Sequence, residues 1–479
     1  MGSDMSVPLL LIGAASLLVW WMAFRVAYAQ YQPLIFGAIL AVDICITYAW
    51  WRAAVYILLT HVLLEGFLIN AFASTEMNLL KDAQIGLISL RLATSLIARR
   101  AFPVPRASWV VPFGLFSLVY TAEIFNPYLP SIVVGLIGMR VTLLFSLAFV
   151  IGYWFFNDRQ QVMRFLRFHN WLSFPICAFG IVQYFTGPSL LLRISPGFSR
   201  AIYYAFDPND PASFTYFRTI STFASTSGFA QYLWIAAVLT TALMLVTTRP
   251  FDAIVCRVAL LVQACALLTT GSRGAFVFLF VAIVMGFALM GHLRRALSGA
   301  MILLLLFAAS SLVLGSQVVY RFRTLLDFDM VKERNTNLGL GQIEEASKAS
   351  IAGLGAGRGC SATNRLYPDL VMGSENQLAR IRYETGLGGL ILFCGAMIVL
   401  FVDTARKPRM LLDSRLRTIG CLAATIPLIV ILTVPVGLPL DIPPVNFYFW
   451  FLIGLLQALL RIQIQEARTS AGLATASAV

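Results

Sequence analysis

Charge is scarce in this chain. Of its 479 residues only 12% are Asp, Glu, Lys or Arg, against about 25% in a soluble domain. With 59% apolar residues and a mean hydropathy of +0.82, that shortage excludes a soluble enzyme, a disordered chain and a coiled coil. The alternating apolar segments of an outer-membrane barrel are also missing. Histidine is rarer still: His61, His169 and His292 are too dispersed for a zinc site. Cysteine offers no disulfide framework. Cys45, Cys177, Cys256, Cys265, Cys394 and Cys421 lie in apolar stretches as small packing residues, and only Cys360 stands in a polar loop. No basic segment precedes the first apolar run, which continues from about Val7 to Val26; it reads as a spanning helix and not a cleavable signal. No lipidation motif, fixed-period repeat or duplication of halves is evident.

Long apolar runs fill most of the chain. A spanning helix needs about 20 apolar residues. Runs fall near 7–28, 33–50, 53–72, 84–98, 107–125, 131–156, 168–187, 228–247, 252–270, 274–290, 299–319, 383–402, 418–435 and 445–461. They predict an all-α polytopic membrane protein of about 14 (roughly 12 to 14) transmembrane helices with a long structured periplasmic loop. A net charge of +13 would suggest nucleic acid in a soluble protein. Here Lys and Arg read as anchors at cytoplasmic helix ends, and no nucleic acid is expected. Arg99, Arg100, Arg106, Arg159, Arg164, Arg167, Arg249, Arg294, Arg295 and the 406–417 segment fall on one side of the membrane. The positive-inside rule makes that side, and both termini, cytoplasmic. The location expected is a cytoplasmic membrane.

This topology divides the chain into an N-terminal transmembrane scaffold, 1–187, and a region 188–479 with outer loops at about 188–227 and 320–382. Four features meet on the outer face. Arg218-Thr-Ile-Ser-Thr-Phe-Ala-Ser-Thr-Ser-Gly228 offers hydroxyls at the membrane surface, or caps a helix entry. Thr270-Gly-Ser-Arg-Gly-Ala275 places Arg273 in a short connection on the side where short loops otherwise avoid positive charge. A guanidinium there suits phosphate, because its fork donates two hydrogen bonds at once; that reading is favoured over a snorkelling anchor. The longer loop holds Arg321, Arg323 and Arg334, a basic patch fit for an anionic, lipid-linked substrate. Its run Gly353-Leu-Gly355-Ala-Gly357-Arg-Gly359 can cradle phosphate through backbone N–H groups, although a tight turn is the simpler reading. Finally, Ser374-Glu375-Asn376-Gln377 has capping-box spacing. It would put Glu375 in a first helical turn, as a dipole partner or as a general base for an acceptor hydroxyl.

Five ionisable residues, Asp43, His61, Glu65, Arg91 and Arg140, fall inside spans. Each costs roughly 2.5–3.5 kcal/mol at a helix centre, so they should face the bundle interior. His61 and Glu65 share one helix face, with structural pairing favoured over a proton pathway. Cys360, in the longer outer loop, should face the outer side and react there with a membrane-impermeant thiol reagent unless it is locally buried.

From Arg218 to Gly389 the chain resembles the O-antigen ligase and O-antigen polymerase superfamily of bacterial envelope glycan assembly. The resemblance rests on Arg-Thr-Ile-Ser-Thr-Phe, Thr-Gly-Ser-Arg-Gly-Ala, the arginine-bearing loop, Gly-Leu-Gly-Ala-Gly-Arg-Gly, and Glu-Asn-Gln-Leu followed by Tyr-Glu-Thr-Gly-Leu-Gly-Gly at 383–389. It implies an inverting glycosyltransferase at the outer face of the inner membrane. The donor would be a glycan on undecaprenyl diphosphate, and the acceptor a glycan or lipid hydroxyl. Arg273 matches the family's Ser-Arg-Gly arginine; Arg218 and Arg334, or Arg321 and Arg323, would supply further diphosphate contacts. Guanidinium groups would then stabilise the leaving diphosphate with no metal or cofactor. Partners would be membrane lipids, with a flippase and a chain-length regulator as further candidates.

One departure separates two activities. Ligases of this family carry His-Asn where this chain has Glu375-Asn376, which favours a polymerase of exopolysaccharide or O-antigen repeat units over a ligase to lipid A core. A lipid-linked oligosaccharide flippase is the rival from another class, and a non-catalytic assembly scaffold a third.

Overall fold

The computed structural model describes residues 32–73, 77–98, 107–206, 217–292, 352–360 and 376–477, with isolated positions between them. Among the described residues 83% are helical and no strand is present. The helices are α1 (Gln32–Ala49), α2 (Trp51–Phe72), α3 (Met77–Ala98), α4 (Val110–Ala122), α5 (Ile132–Thr142), α6 (Leu147–Phe155) and α7 (Arg159–Thr186). They continue with α8 (Ser189–Ile194), α9 (Ser199–Ala205), α10 (Thr226–Val246), α11 (Pro250–Thr269), α12 (Arg273–Leu289), α13 (Gln377–Arg406), α14 (Ser414–Thr433) and α15 (Val445–Ser477). Among the described residues seven segments are long and apolar enough to cross a membrane, and three shorter apolar helices accompany them. The described residues are therefore all-α, with several membrane-length helices. The expected spans at 7–28 and, for the most part, 299–319 lie outside the described residues.

Two compact units divide the chain. The first holds α1–α3, α7–α11 and the start of α12. Its centre is α10, whose best apolar window is 83% buried, against 33% for α11. A helix apolar all round belongs inside a bundle. Ser225 caps α10 by accepting from Gly228 N–H, and Asp158 caps α7 by accepting from Gln161 N–H. Interhelical hydrogen bonds join α7, α10 and α11 where packing alone is a weak glue. Thr240 Oγ1 donates to Asn170 Oδ1 at 3.0 Å, and Gln263 Nε2 donates to Ser173 Oγ at 2.9 Å and Thr240 Oγ1 at 3.0 Å.

These inward polar groups also explain two shifted boundaries. The fourth and seventh apolar runs begin later than their helices, because α3 opens on Lys81, Asp82 and Gln84, and α7 on Gln161, Arg164 and Arg167. Lys81 pairs with Glu65 at 2.5 Å, and Arg167 with Asp252 at 2.9 Å. The expected structural pairing is thus present for Glu65, with Lys81 as partner. His61 Nδ1 instead lies 3.0 Å from Gln84 Oε1.

The second unit holds α4, α5, most of α6, the glycine-rich segment and α13–α15. The run at 131–156 is not one unbroken helix. A 3-10 turn at Leu144–Ser146 separates α5 from α6, where Ser146 Oγ donates to Leu143 O at 2.7 Å and competes with the helical ladder. Helices α6 and α15 approach closely through glycines: a Cβ on Gly152 would lie 2.4 Å from Phe451 O, and one on Gly454 would lie 2.4 Å from Phe149 O. Helix α13 opens at Gln377, ahead of its apolar run, and breaks at Gly386, which has φ 70° and ψ −168°. Only glycine adopts that conformation without strain.

Candidate functional site

In the first unit, residues 217–225 form an irregular, turn-containing segment threaded against helices. Thr222 Oγ1 donates to Leu63 O at 2.7 Å, and Phe67 N–H donates to Thr222 O at 2.7 Å. Leu63 and Phe67 are the acceptor and donor that an α-helix pairs across four residues, so Thr222 bridges the ladder of α2. The approach is possible because residue 66 is glycine; a Cβ there would lie 1.8 Å from Ala224 N. Ser221 has a φ of +50°, unusual for a side-chain-bearing residue. The Gln183 amide clamps it, accepting from Ser221 N–H at 2.8 Å and donating to Ser221 O at 3.1 Å. Ser221 Oγ donates to Ile176 O at 2.6 Å.

This threading brings two of the sequence motifs together. Arg218 Nε donates to Thr270 O at 3.1 Å. The hydroxyls of Thr219 and Thr269 lie 2.8 Å apart, and Thr219 N–H donates to Thr269 O at 3.3 Å. Gly271, with φ 58°, makes the turn, and Arg273 is the first residue of α12. Both arginines are half-buried. Neither 217–228 nor 269–275 contains an acidic residue. The junction therefore brings two arginine-bearing segments to the positive end of a helix dipole, an arrangement suited to an anion.

In the second unit, Gly353, Gly355 and Gly357 all have positive φ and pack at backbone distance. A Cβ on Gly357 would lie 2.2 Å from Val134 O, and one on Gly353 would lie 2.6 Å from Gly386 N. The N–H groups of Leu354, Gly355 and Ala356 donate to the carbonyls of Tyr383, Glu384 and Glu123, each within 3.1 Å. These amides are engaged by the protein, which matches the tight-turn reading; a phosphate cradle would need them free. Cys360 follows, fully buried, and burial pushes its thiol up to about 11. The expected reach of a thiol reagent is thereby corrected. In a variant keeping Cys360 as sole cysteine, maleimide should label it slowly in the folded protein and completely after denaturation. Equal labelling rates in both states would contradict the buried placement.

Helix α13 is capped by Asn376, whose Oδ1 accepts from Leu378 N–H at 2.9 Å and Ala379 N–H at 3.1 Å. Asn376 therefore supplies the cap expected from Ser374; Ser374 and Glu375 lie outside the described residues. Asn376 Nδ2 donates to Pro435 O, and Gln377 N–H to Gly437 O, fixing the start of α13 to the α14–α15 connection.

One turn into α13 lies a buried network absent from the sequence expectations. Arg380, fully buried, donates through Nη1 to Asp441 Oδ2 at 2.6 Å and through Nη2 to Thr142 Oγ1 at 3.1 Å. Thr142 Oγ1 donates to Tyr120 Oη at 3.0 Å, and Tyr120 Oη donates to Glu384 Oε2 at 2.5 Å. Gly359 N–H donates to Glu384 Oε1 at 3.0 Å. The donors run in one direction from guanidinium to carboxylate, so each bond polarises the next. Burial raises the Asp441 carboxyl and Arg380 opposes that rise. Arg380 and Gln377 edge a cavity of about 10 Å³ walled by Phe113, Phe116 and Trp450, room for about one water. The signal was present as Arg380-x-x-x-Glu384, a helical i, i+4 pair in a chain poor in charge.

Of the site residues expected from sequence, Arg218 and Arg273 share one junction. Gly353, Gly355 and Gly357 form one packed segment in the other unit. Arg321, Arg323, Arg334 and Glu375 lie outside the described residues. Among the described residues no group of three or more His, Cys, Asp or Glu could hold a metal ion. No protein-family model matches the chain, and comparison with curated proteins finds no match.

Proposed function

We propose that this chain is an inverting membrane glycosyltransferase that polymerises undecaprenyl-diphosphate-linked oligosaccharide repeat units at the outer face of a bacterial cytoplasmic membrane. The observation that carries the reading is the junction made by the Arg218–Thr270 hydrogen bond, which brings together two arginine-bearing segments that themselves contain no acidic residue. In the reaction an acceptor hydroxyl oxygen bonds to the anomeric carbon of the donor glycan. The bond from that carbon to the diphosphate oxygen breaks, and the diphosphate departs on its lipid. Arg218 and Arg273, with Arg321, Arg323 and Arg334, stabilise the charge on the leaving group. Glu375 takes the hydroxyl proton. Glu375 in place of the ligases' histidine favours polymerisation over ligation to lipid A core.

The test uses purified protein in liposomes with lipid-linked repeat units. A ladder of products supports a polymerase, and a single transfer to a supplied core acceptor supports a ligase. Arg273→Ala should lower the rate by about 10²-fold, the scale for losing one preorganised donor, with protein abundance unchanged. Arg273→Lys should recover little, because an ammonium lacks the planar fork. Full activity in Arg273→Ala would make Arg273 a snorkelling anchor and remove the junction from the reaction.

A further inference from the structure

Helix α1 packs Phe36 and Ile39 partly buried against a hydrophobic cluster, yet its most deeply buried side chains are polar. Across Phe36–Ala49 just two side chains are buried, Asp43 and Thr47. They lie one helical turn apart on one face, which packs on α2 and α3. Asp43 is 4% exposed and Thr47 0%. Asp43 Oδ2 and Thr47 Oγ1 have no hydrogen-bond partner among the described residues. The Gln84 side chain neighbours the Asp43 carboxyl, and Gln84 Oε1 sits 3.0 Å from His61 Nδ1. An amide oxygen only accepts, so the imidazole donates through Nδ1–H and holds the amide, which leaves Gln84 Nε2 as the group able to donate toward the carboxyl.

The charges on the two packed helices are accounted for elsewhere. Lys81 of α3 is 2.5 Å from Glu65 of α2 and 3.7 Å from Asp82. Arg91 lies over the Tyr48 ring, 6.0 Å from its centroid. Neither cation is paired with Asp43, so among the described residues a charge on this carboxyl has no counter-charge where burial is costly. A metal cation would require several more oxygen ligands than this face supplies. A proton requires one oxygen with an open lone pair, which Oδ2 is.

We propose that Asp43, oriented by Gln84 and His61 and flanked by Thr47, is a proton-binding site in the membrane-embedded part of the first unit. It exchanges a single proton with the aqueous phase: an O–H bond forms on Oδ2 when the proton arrives from water and breaks when it leaves. The inference is independent of the glycan-transfer reading. It makes the first unit responsive to the proton gradient of the membrane it crosses.

Infrared difference spectroscopy on the full-length protein in lipid nanodiscs tests it, with pH stepped between about 4 and about 9. The expected result is a protonated-carboxyl C=O band that shifts in D2O, disappears as pH rises, and is lost in Asp43→Asn. Asp43→Glu should shift that band and keep its titration, which covers the case in which Asp43→Asn does not fold. A titrating spectrum indistinguishable between wild type and the Asp43 variants would overturn the proposal. So would an Asp43 band that neither titrates nor shifts in D2O.

Discussion

Arg380→Ala should destabilise the protein by about 3–5 kcal/mol, the range for removing one partner of a buried ion pair. The side chain is fully buried, and Asp441 and Glu384 both depend on its charge. Its removal leaves two buried carboxyls without a counter-charge and Thr142 Oγ1 without its donor. Lost volume contributes less, since the alkyl stem lies beside an existing cavity. A control separates charge from packing. Arg380→Met with Asp441→Leu and Glu384→Gln removes the charges together, and replacing a buried ion pair by apolar groups of similar volume is often neutral or stabilising. The triple variant should recover most of the melting temperature lost in Arg380→Ala. A wild-type melting temperature for Arg380→Ala itself would show that the network contributes no net stability.

Glu375→Gln should fold normally and lose about 10²–10⁴-fold in transfer rate, the span typical of general base catalysis. The position of the cap sharpens this experiment. Because Asn376 supplies the side-chain acceptor for the first amides of α13, changing Glu375 leaves those hydrogen bonds intact. Asn376→Ala is the structural counterpart, with an expected cost of about 0.5–2 kcal/mol in stability. Glu375→His should retain part of the activity, since the ligases this chain resembles use histidine there. Near-normal transfer by Glu375→Gln, measured in liposomes beside a thermal melt, would take Glu375 out of the mechanism.

Apolar runs made the helices legible because a membrane demands continuous apolar length, and α1, α2, α10, α11 and α12 lie within a few residues of their runs. Helix starts were less legible where polar side chains point inward, as Lys81 does toward Glu65. The eye reads such residues as loop. Arg380 and Arg382 were absorbed into a basic outer loop for the same reason, although both are buried in a helix. Capping was ambiguous because Ser374 and Asn376 are both good caps; the backbone contacts of Gln377 and Asn376 with the α14–α15 connection select the asparagine. Proximity of Arg218 to the Thr270–Arg273 turn could be guessed only from function. Nothing in the spacing of two motifs reports a hydrogen bond across 52 residues.

Thr222 contacts α2 from a position 159 residues further along the chain. During synthesis α2 must therefore enter the membrane and wait while all of that chain emerges and is inserted. Through this interval the hydrogen-bonding partners that Leu63 O and Phe67 N–H find in Thr222 are absent, and the helix carries them as an ordinary turn. Gly66, the weakest helix former in that stretch, keeps the turn pliable enough to open when the 217–225 segment arrives. The contacts of α2 are therefore completed only after the chain through Thr222 has been inserted, and the first unit closes later still, with α11 and the start of α12.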